Sequence, residues 1–298
     1  MLYKFRNQLA RALYDYYCRR ILDTPPLLIR PTPLVFCSMV SRRDVIMYLV
    51  AIKSVYSRIG EGVICIVNDG SLQSDDINLL KHHLGSPHIV DVAAIDTGQC
   101  PRGGTWERLL HILDLTDQSY VIQVDSDIVA RGPLVEVREC YRANQSFTLG
   151  SWAGQDFKTL AEAAIYAKTV ESSHVQISAE RGFGSLESTA DRRYVRGSSG
   201  FAGFARGGAS RRMATDFSVE MERLLGNKWS EWGSEQVTSC YIVANTPGGK
   251  VLPWPKYTNF SENTDPSSAV LLHFVGDRRF FRGRYAKESR RIIAELKS

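Results

Sequence analysis

Between residues 34 and 124 the chain alternates two kinds of apolar segment. Leu34-Val35-Phe36-Cys37-Ser38-Met39-Val40, Val63-Ile64-Cys65-Ile66-Val67, a run from about His88 to Ala94, and Tyr120 to Val124 are short and almost continuously apolar. Runs of this kind, closed by turns such as Asn68-Asp69-Gly70-Ser71, predict strands covered on both faces. Between them lie helix-periodic stretches, one capped by Asp44 and reaching about Arg58, one ending near Leu84, and one from about Thr105 to Leu113. Strands alternating with helices predict an α/β fold with a mostly parallel central sheet flanked by helices. Ligands gather at the carboxyl ends of such strands. Ser38, Asn68-Asp69-Gly70 and Asp125-Ser126-Asp127 fall there.

The second half is less regular. Helices are expected at Ala161 to Val170, Arg211 to Leu225 and Ser234 to Val243, with strands at Phe201 to Ala205 and Ala269 to Phe274. Ser172 to Gly200 is rich in Ser, Gly and charge and reads as a long loop or lid. Within it Arg196-Gly197-Ser198-Ser199-Gly200 reads as a flexible connector, with a phosphate cradle as the alternative. At the amino end Leu2, Phe5, Leu9, Leu13, Tyr16 and Tyr17 recur at helical spacing among basic residues, and Thr24-Pro25-Pro26 should stop that helix. A basic helix closes the chain. No clean linker is visible, so a single domain with insertions is expected: an amphipathic helix over 1–24, a nucleotide-binding half over 30–130, a less regular half over 131–283, and the basic helix over 284–298.

Composition adds bounds. At 298 residues, 44% hydrophobic and 23% charged, the chain belongs with ordinary globular domains. Its six cysteines are scattered, with no zinc-like spacing, and two of them (Cys37 and Cys65) lie inside apolar runs; reduced thiols in a cytoplasmic protein are expected. No segment approaches the roughly 18 apolar residues of a membrane span, and residues 1–22 lack a signal-peptide core. Two N-x-S triplets, at Asn144 and Asn259, carry little weight without a secretory signal. The net charge of +5 suits an anionic substrate or membrane surface, and no nucleic-acid-binding motif accompanies it.

The candidate chemistry starts at Asp125-Ser126-Asp127. Residues i and i+2 of an extended chain share a face, so both carboxylates are available to one site directly after a buried strand. Oxygen ligands of this kind suit Mg²⁺ or Mn²⁺ shared with substrate phosphates. Most Asp-x-Asp pairs are surface turns, but two carboxylates at a buried edge are costly unless compensated.

A chain of short motifs in order then resembles the GT-A glycosyltransferases, and within them the retaining family 8, which includes bacterial galactosyltransferases and glycogenin. Thr105-Trp106-Glu107-Arg108-Leu109-Leu110 is similar to the segment whose arginine contacts the donor. Asp125-Ser126-Asp127 is similar to the metal-binding motif, Ser234-Glu235-Gln236 to an acidic-Gln motif beside the sugar, and Leu252-Pro253 through Asn259 to a Leu-Pro…Asn segment. Leu271-Leu272-His273-Phe274-Val275-Gly276 is similar to a His-Phe-x-Gly motif whose histidine ligates Mn²⁺. The resemblance spans roughly residues 34 to 283. Two departures stand out. Arg279-Phe280-Phe281 replaces the family's Lys-Pro-Trp, and Glu235-Gln236-Val237 replaces its Asp-Gln-Asp.

The resemblance implies a Rossmann-like GT-A fold and transfer of a hexosyl-type sugar from a nucleotide donor, UDP by the family's habit, to a glycan or lipid-linked acceptor. It implies a cation on Asp125, Asp127 and His273, and donor contacts from Ser38, Asp69, Asp125, Arg108, Gly276 and Arg279. It also places Gln236, Glu235 and Arg108 at the reacting sugar and implies retention. Inversion would instead require a carboxylate base, for which Glu231 or Glu235 is available. The acceptor pocket is expected in the variable 172–200 segment. Each residue has a plainer reading: His273 as a hydrogen-bonded core histidine, Arg108 and Glu235-Gln236 as exposed helix polarity, and Asn68-Asp69-Gly70 as a tight turn. For Asp69 the functional alternative is a carboxylate that accepts a proton from a uracil ring. Two other functions compete. One is a haloacid-dehalogenase-type phosphatase with Asp125 as nucleophile and Asp277 as a late metal acid; the other is a non-catalytic nucleotide-sugar-binding module. The basic, aromatic ends suggest peripheral contact with an anionic membrane at its inner face, suited to a cell-envelope polysaccharide enzyme.

Overall fold

The computed structural model describes residues 2–276 and 279–297, with side chains described for all of these except 2–7 and 281. In its first part the elements are α1 Leu2–Cys18, β1 Leu34–Val40, α2 Val45–Ile59, β2 Val63–Asn68, α3 Ser74–Leu84, β3 His88–Asp91, α4 Trp106–Leu115, β4 Tyr120–Val124 and β5 Ile128–Ala130. They continue as α5 Val135–Arg142, β6 Phe147–Leu149, β7 Lys158–Thr159, α6 Leu160–Ala167, α7 Val175–Gly182, β8 Arg193–Tyr194, β9 Ser198–Phe204 and α8 Arg211–Leu225. The last are α9 Ser234–Asn245, β10 Lys250–Leu252, β11 Tyr257–Asn259, β12 Leu271–His273 and α10 Arg284–Glu295. Seven strands form the central sheet in the order β10-β6-β9-β4-β1-β2-β3. Neighbours β1–β2, β2–β3 and β10–β6 run parallel and β6–β9 antiparallel, so the sheet is mixed and mostly parallel.

By contact density the chain divides into two units, one of residues 1–91, 124–135 and 255–298, the other of residues 92–123 and 136–254. In the first unit α2 buries residues on every side, including Tyr48, Leu49, Ile52, Lys53 and Val55. Elements of this unit surround it: β1 and β5, and the helices α1, α3 and α10. A helix covered all round needs no polar face, which is why its sequence reads as near-continuous apolar residues. Asp44 precedes α2 as expected, but its carboxylate does not cap the helix. It accepts from the Ser41 hydroxyl at 2.5 Å and pairs with Arg11 at 2.9 Å. The amino-terminal helix ends before Thr24-Pro25-Pro26, through a 3-10 turn at Arg19–Asp23.

A second sheet of the same unit, in the order β11-β12-β5, was absent from the sequence expectation. β12 pairs parallel with β11 and antiparallel with β5, and His273 stands opposite Asn259 on one side and Ile128 on the other. β12 falls within the expected strand Ala269 to Phe274, but β5 and β11, of three residues each, are too short to declare a period, and pairing rather than pattern makes them visible.

In the second unit β9 carries Gly203, where an added Cβ would lie 2.3 Å from the Phe147 ring and 2.6 Å from the Tyr120 hydroxyl. Only glycine admits those rings. The 172–200 segment corrects the expectation of a long loop. It forms α7, whose Val175, Ile177 and Ala179 are buried against α6, α8 and α9, then a 3-10 turn, β8 and the start of β9. Arg196 to Gly200 is no flexible connector. Arg196 pairs with Glu180, whose side chain is 2% exposed, and Ser198 to Gly200 lie in β9. Composition misled here because the segment keeps most of its charges exposed while one pair, Glu180 and Arg196, is satisfied inside the unit and the apolar residues of α7 form a buried face.

Candidate functional site

In the first unit β4 ends at Val124 and delivers Asp125-Ser126-Asp127, after which the chain enters β5 at once. Antiparallel pairing sets β5 against β12, and the Phe274 amide donates to the Asp127 carbonyl at 3.0 Å. This short ladder brings His273 onto the two carboxylates. Its Nε2 lies 3.2 Å from Asp127 Oδ1 and 3.8 Å from Asp125 Oδ2. Among the described residues, Asp125, Asp127 and His273 offer one ligand atom each within 4.8 Å of one another. The Asp127 and His273 side chains are 5% and 3% exposed and that of Asp125 is 28%, so the group is buried on one side and open at Asp125.

Three further residues shape this group. Asn259 Oδ1 sits 2.8 Å from His273 Nδ1, a neighbour across the β11–β12 register. With Nδ1 hydrogen-bonded, Nε2 is the nitrogen turned to the carboxylates, as is usual where a histidine ligates a metal and a neighbour holds its other ring nitrogen. Arg279 Nη2 lies 2.6 Å from Asp127 Oδ2, and the Tyr285 hydroxyl donates to the Ser126 carbonyl at 3.1 Å. Burial opposes charge on His273, but the Asp127 carboxylate outweighs it and raises the imidazole above its usual range. The same pairing, helped by Arg279, holds Asp127 below the carboxylate range although burial works the other way. Two carboxylate oxygens and an imidazole nitrogen fit a divalent cation. Carboxylates suit Mg²⁺ and Mn²⁺, whereas the imidazole favours the transition metal.

Of the other donor residues in this unit, Ser38 is fully buried inside β1. Asp69 is exposed in the turn after β2, where its Oδ1 accepts from the Ser71 amide at 2.9 Å. Gly276 is exposed with a φ of +69°, and its carbonyl accepts from the Arg279 amide at 3.2 Å. Asp277 lies outside the described residues.

In the second unit Arg108 on α4 and Glu235 on α9 face each other at 3.7 Å, and both are buried. Glu235 Oε2 accepts from the hydroxyls of Thr105 at 3.0 Å and Ser199 at 3.2 Å. Trp106 Nε1 donates to Ser234 Oγ at 2.9 Å, tying the start of α4 to the start of α9. Thr105 holds a φ of +75°, a strained setting for a β-branched residue that persists only where the surroundings over-determine it. Gln236 is half-buried and its amide donates to Gln176 Oε1 at 3.4 Å. The plainer reading of Arg108 and Glu235 as exposed helix polarity is therefore excluded.

Sequence reasoning missed Tyr285 at this site, because a tyrosine in a basic helix carries no mark of the loop it will touch. Asn259 stood inside a motif without a role, and only the strand register supplies one.

No family model and no curated protein sequence matches the chain. Solved structures do. The galactosyltransferase LgtC, in complex with donor and acceptor sugar analogues, aligns over 89% of this chain and 96% of its own at 12% identity, with a TM-score of 0.55. An active-site mutant of LgtC aligns over the same shares at 12% identity, with a TM-score of 0.51. With its seven-stranded mostly parallel sheet and this likeness over nearly its full length, the chain has the GT-A fold of the glycosyltransferases.

Proposed function

We propose that the protein is a metal-dependent glycosyltransferase that moves a hexosyl-type sugar from a UDP-sugar donor to a glycan or lipid-linked acceptor, with retention. The observation that carries this reading is the convergence of Asp125, Asp127 and His273, two carboxylates and an imidazole tuned by Asn259 and Arg279. Mn²⁺ is the expected ion, and the chemistry it supplies is neutralisation of charge on the departing nucleoside diphosphate. Arg279 holds Asp127 in place and presents a planar guanidinium suited to phosphate oxygens. The Gly276 amide is assigned to the same diphosphate. Asp69, exposed beyond β2, is assigned to the base.

At the sugar, Gln236 is assigned to the face beside the anomeric carbon, and Arg108 adds fixed positive charge towards the donor. Glu235 already accepts from Thr105 and Ser199 and faces Arg108, which leaves its carboxylate a poor general base. Glu231 is exposed and paired with Lys228 at 3.6 Å. Both facts favour attack from the leaving-group face without a dedicated base, and hence retention. The phosphatase reading needs Asp125 as nucleophile with Asp277 as a late metal acid; against it, Asp125 follows the fourth strand, not the first, and the fold likeness is to a galactosyltransferase.

The test is Asp127→Asn, which keeps the shape of the side chain. Wild type should bind UDP only with Mn²⁺ and more tightly than GDP or CMP, and should hydrolyse or transfer a UDP-sugar. The variant should stay folded by circular dichroism, lose about 1.5–3 kcal/mol with its charged hydrogen bonds, and lose metal-dependent UDP binding. Retained binding in the variant, or equal binding of all three nucleotides without metal, overturns the assignment.

A further inference from the structure

A cavity of about 440 Å³ opens in the second unit, between the loop before β7, the helix α6 and the strand β8. Sites for small organic ligands span about 300–1,000 Å³. Its walls carry two large aromatics in an unusually wet setting. Trp152 is 43% and Tyr166 is 52% exposed, with ring centroids 6.4 Å apart. The Arg196 guanidinium lies 5.0 Å over the Tyr166 ring. Behind it Glu180, almost wholly buried, accepts from Arg196 and from the Tyr194 hydroxyl, and the Gln155 amide donates to the Arg196 carbonyl at 2.8 Å. The floor is thus rigid and the aromatic wall is open.

The charge around the cavity selects the ligand class. Lys158 and Arg196 are set against Asp156, Glu162 and Glu180, so no positive charge is spare for a phosphate or carboxylate. Aromatic faces with polar groups at their edge suit a molecule with apolar C–H faces and a rim of hydroxyls. A hydrogen-bonded chain joins the floor to the residue assigned to the sugar. The Tyr194 hydroxyl accepts from the Gln176 amide at 3.3 Å, and Gln176 Oε1 accepts from Gln236 at 3.4 Å.

We propose that this cavity holds an uncharged hexose or N-acetylhexosamine unit of the acceptor glycan, stacked on Trp152 and Tyr166. The proposal rests on the transferase reading, and its test separates the two. Full-length protein is probed on an array of neutral and anionic oligosaccharides. The strongest binder is then titrated by calorimetry into wild type, Trp152→Ala and Tyr166→Ala, with UDP and Mn²⁺ titrated into the same samples. Capture of a neutral oligosaccharide is expected, about tenfold weaker in each variant, the worth of one aromatic contact. UDP binding should be unchanged, since both side chains are exposed and bear no fold. Capture of anionic glycans alone, no capture, or equal affinity in wild type and variants overturns the cavity while UDP binding persists. Absence of UDP binding from wild type overturns the transferase reading instead.

Discussion

At His273 the two ring nitrogens face different partners, and the difference defines what each neighbour contributes. Asn259 engages Nδ1 and leaves Nε2 to the carboxylates of Asp125 and Asp127. Truncating such a partner usually costs 10–100-fold in metal affinity. Asn259→Ala should therefore weaken Mn²⁺ binding by about that factor with little change in thermal stability measured without metal. Calorimetry that shows unchanged affinity would return His273 to the core-histidine reading. The pH dependence has a definite sign. The imidazole ligates only when neutral, and Asp127 favours its protonated form despite burial. Mn²⁺ affinity should fall as pH is lowered through the raised imidazole range and level off above it. A flat profile between about pH 6 and 8 would count against ligation.

At the scale of elements, α2 and α3 are joined through a buried cation. Lys53 Nζ donates to the Thr24 hydroxyl and the Pro25 carbonyl, each at 2.8 Å, and lies 3.0 Å from His83 Nδ1. Two consecutive prolines end the amino-terminal segment without continuing helix, and Lys53 satisfies the carbonyl they leave. Burial pulls Lys53 down to about 8 from its ordinary 10.5, and burial followed by the charge of Lys53 pulls His83 to about 4 from 6.5. In both cases the unfolded chain binds protons that the folded chain does not. Stability from these groups therefore rises with pH from about 4 to 6.5 and again from about 8 to 10.5. Melting temperatures recorded across both windows should rise in wild type, and Lys53→Met should flatten the alkaline rise. An alkaline slope identical in the two proteins would show that Lys53 is not the source. The elements also divide by how well the sequence declares them. β1, β4 and α8 appear in the structure with the expected limits. β12 lies inside the expected Ala269 to Phe274 strand, whereas β5 and β11 span three residues each, too few for a period, and exist because they pair.

For the molecule as a whole, the positive balance of charge meets an aromatic surface where α1 and α10 pack together. Tyr14 stacks on Tyr285 at 4.3 Å and bonds Ser289 at 3.0 Å, so part of the apolar stripe of α1 serves the first unit's interior. Leu9, Leu13, Tyr16 and Tyr17 stay exposed beside Arg19, Arg20, Lys287, Arg290 and Arg291. Among the described residues no helix is long and apolar enough to cross a membrane. Our proposal for this face is reversible contact with anionic lipid, each basic residue near the surface contributing about 1 kcal/mol. Flotation with anionic vesicles should recover the protein at low salt and release it at high salt. Leu13→Asp with Tyr16→Asp should remain below the vesicles under both conditions. Wild type that stays in solution with anionic vesicles at low salt would eliminate the lipid contact and favour a soluble acceptor.

The sequence by itself determined the alternation of buried strands and helices, the carboxylates that follow the fourth strand, and the order of motifs that resembles the GT-A glycosyltransferases. These are local properties: periodicity, turn residues and spacing act between neighbours and are legible in one dimension. That His273 joins Asp125 and Asp127 was implied by the resemblance alone; the physical cause is tertiary, because the meeting depends on β12 pairing with β5 across about 140 residues of chain. Only the tertiary structure decided that Arg279 would sit on Asp127, that Glu235 would be enclosed by Arg108, Thr105 and Ser199, and that the polar 172–200 segment would fold. A buried charge is stable only beside its partner, and which residue becomes that partner is a property of the folded chain.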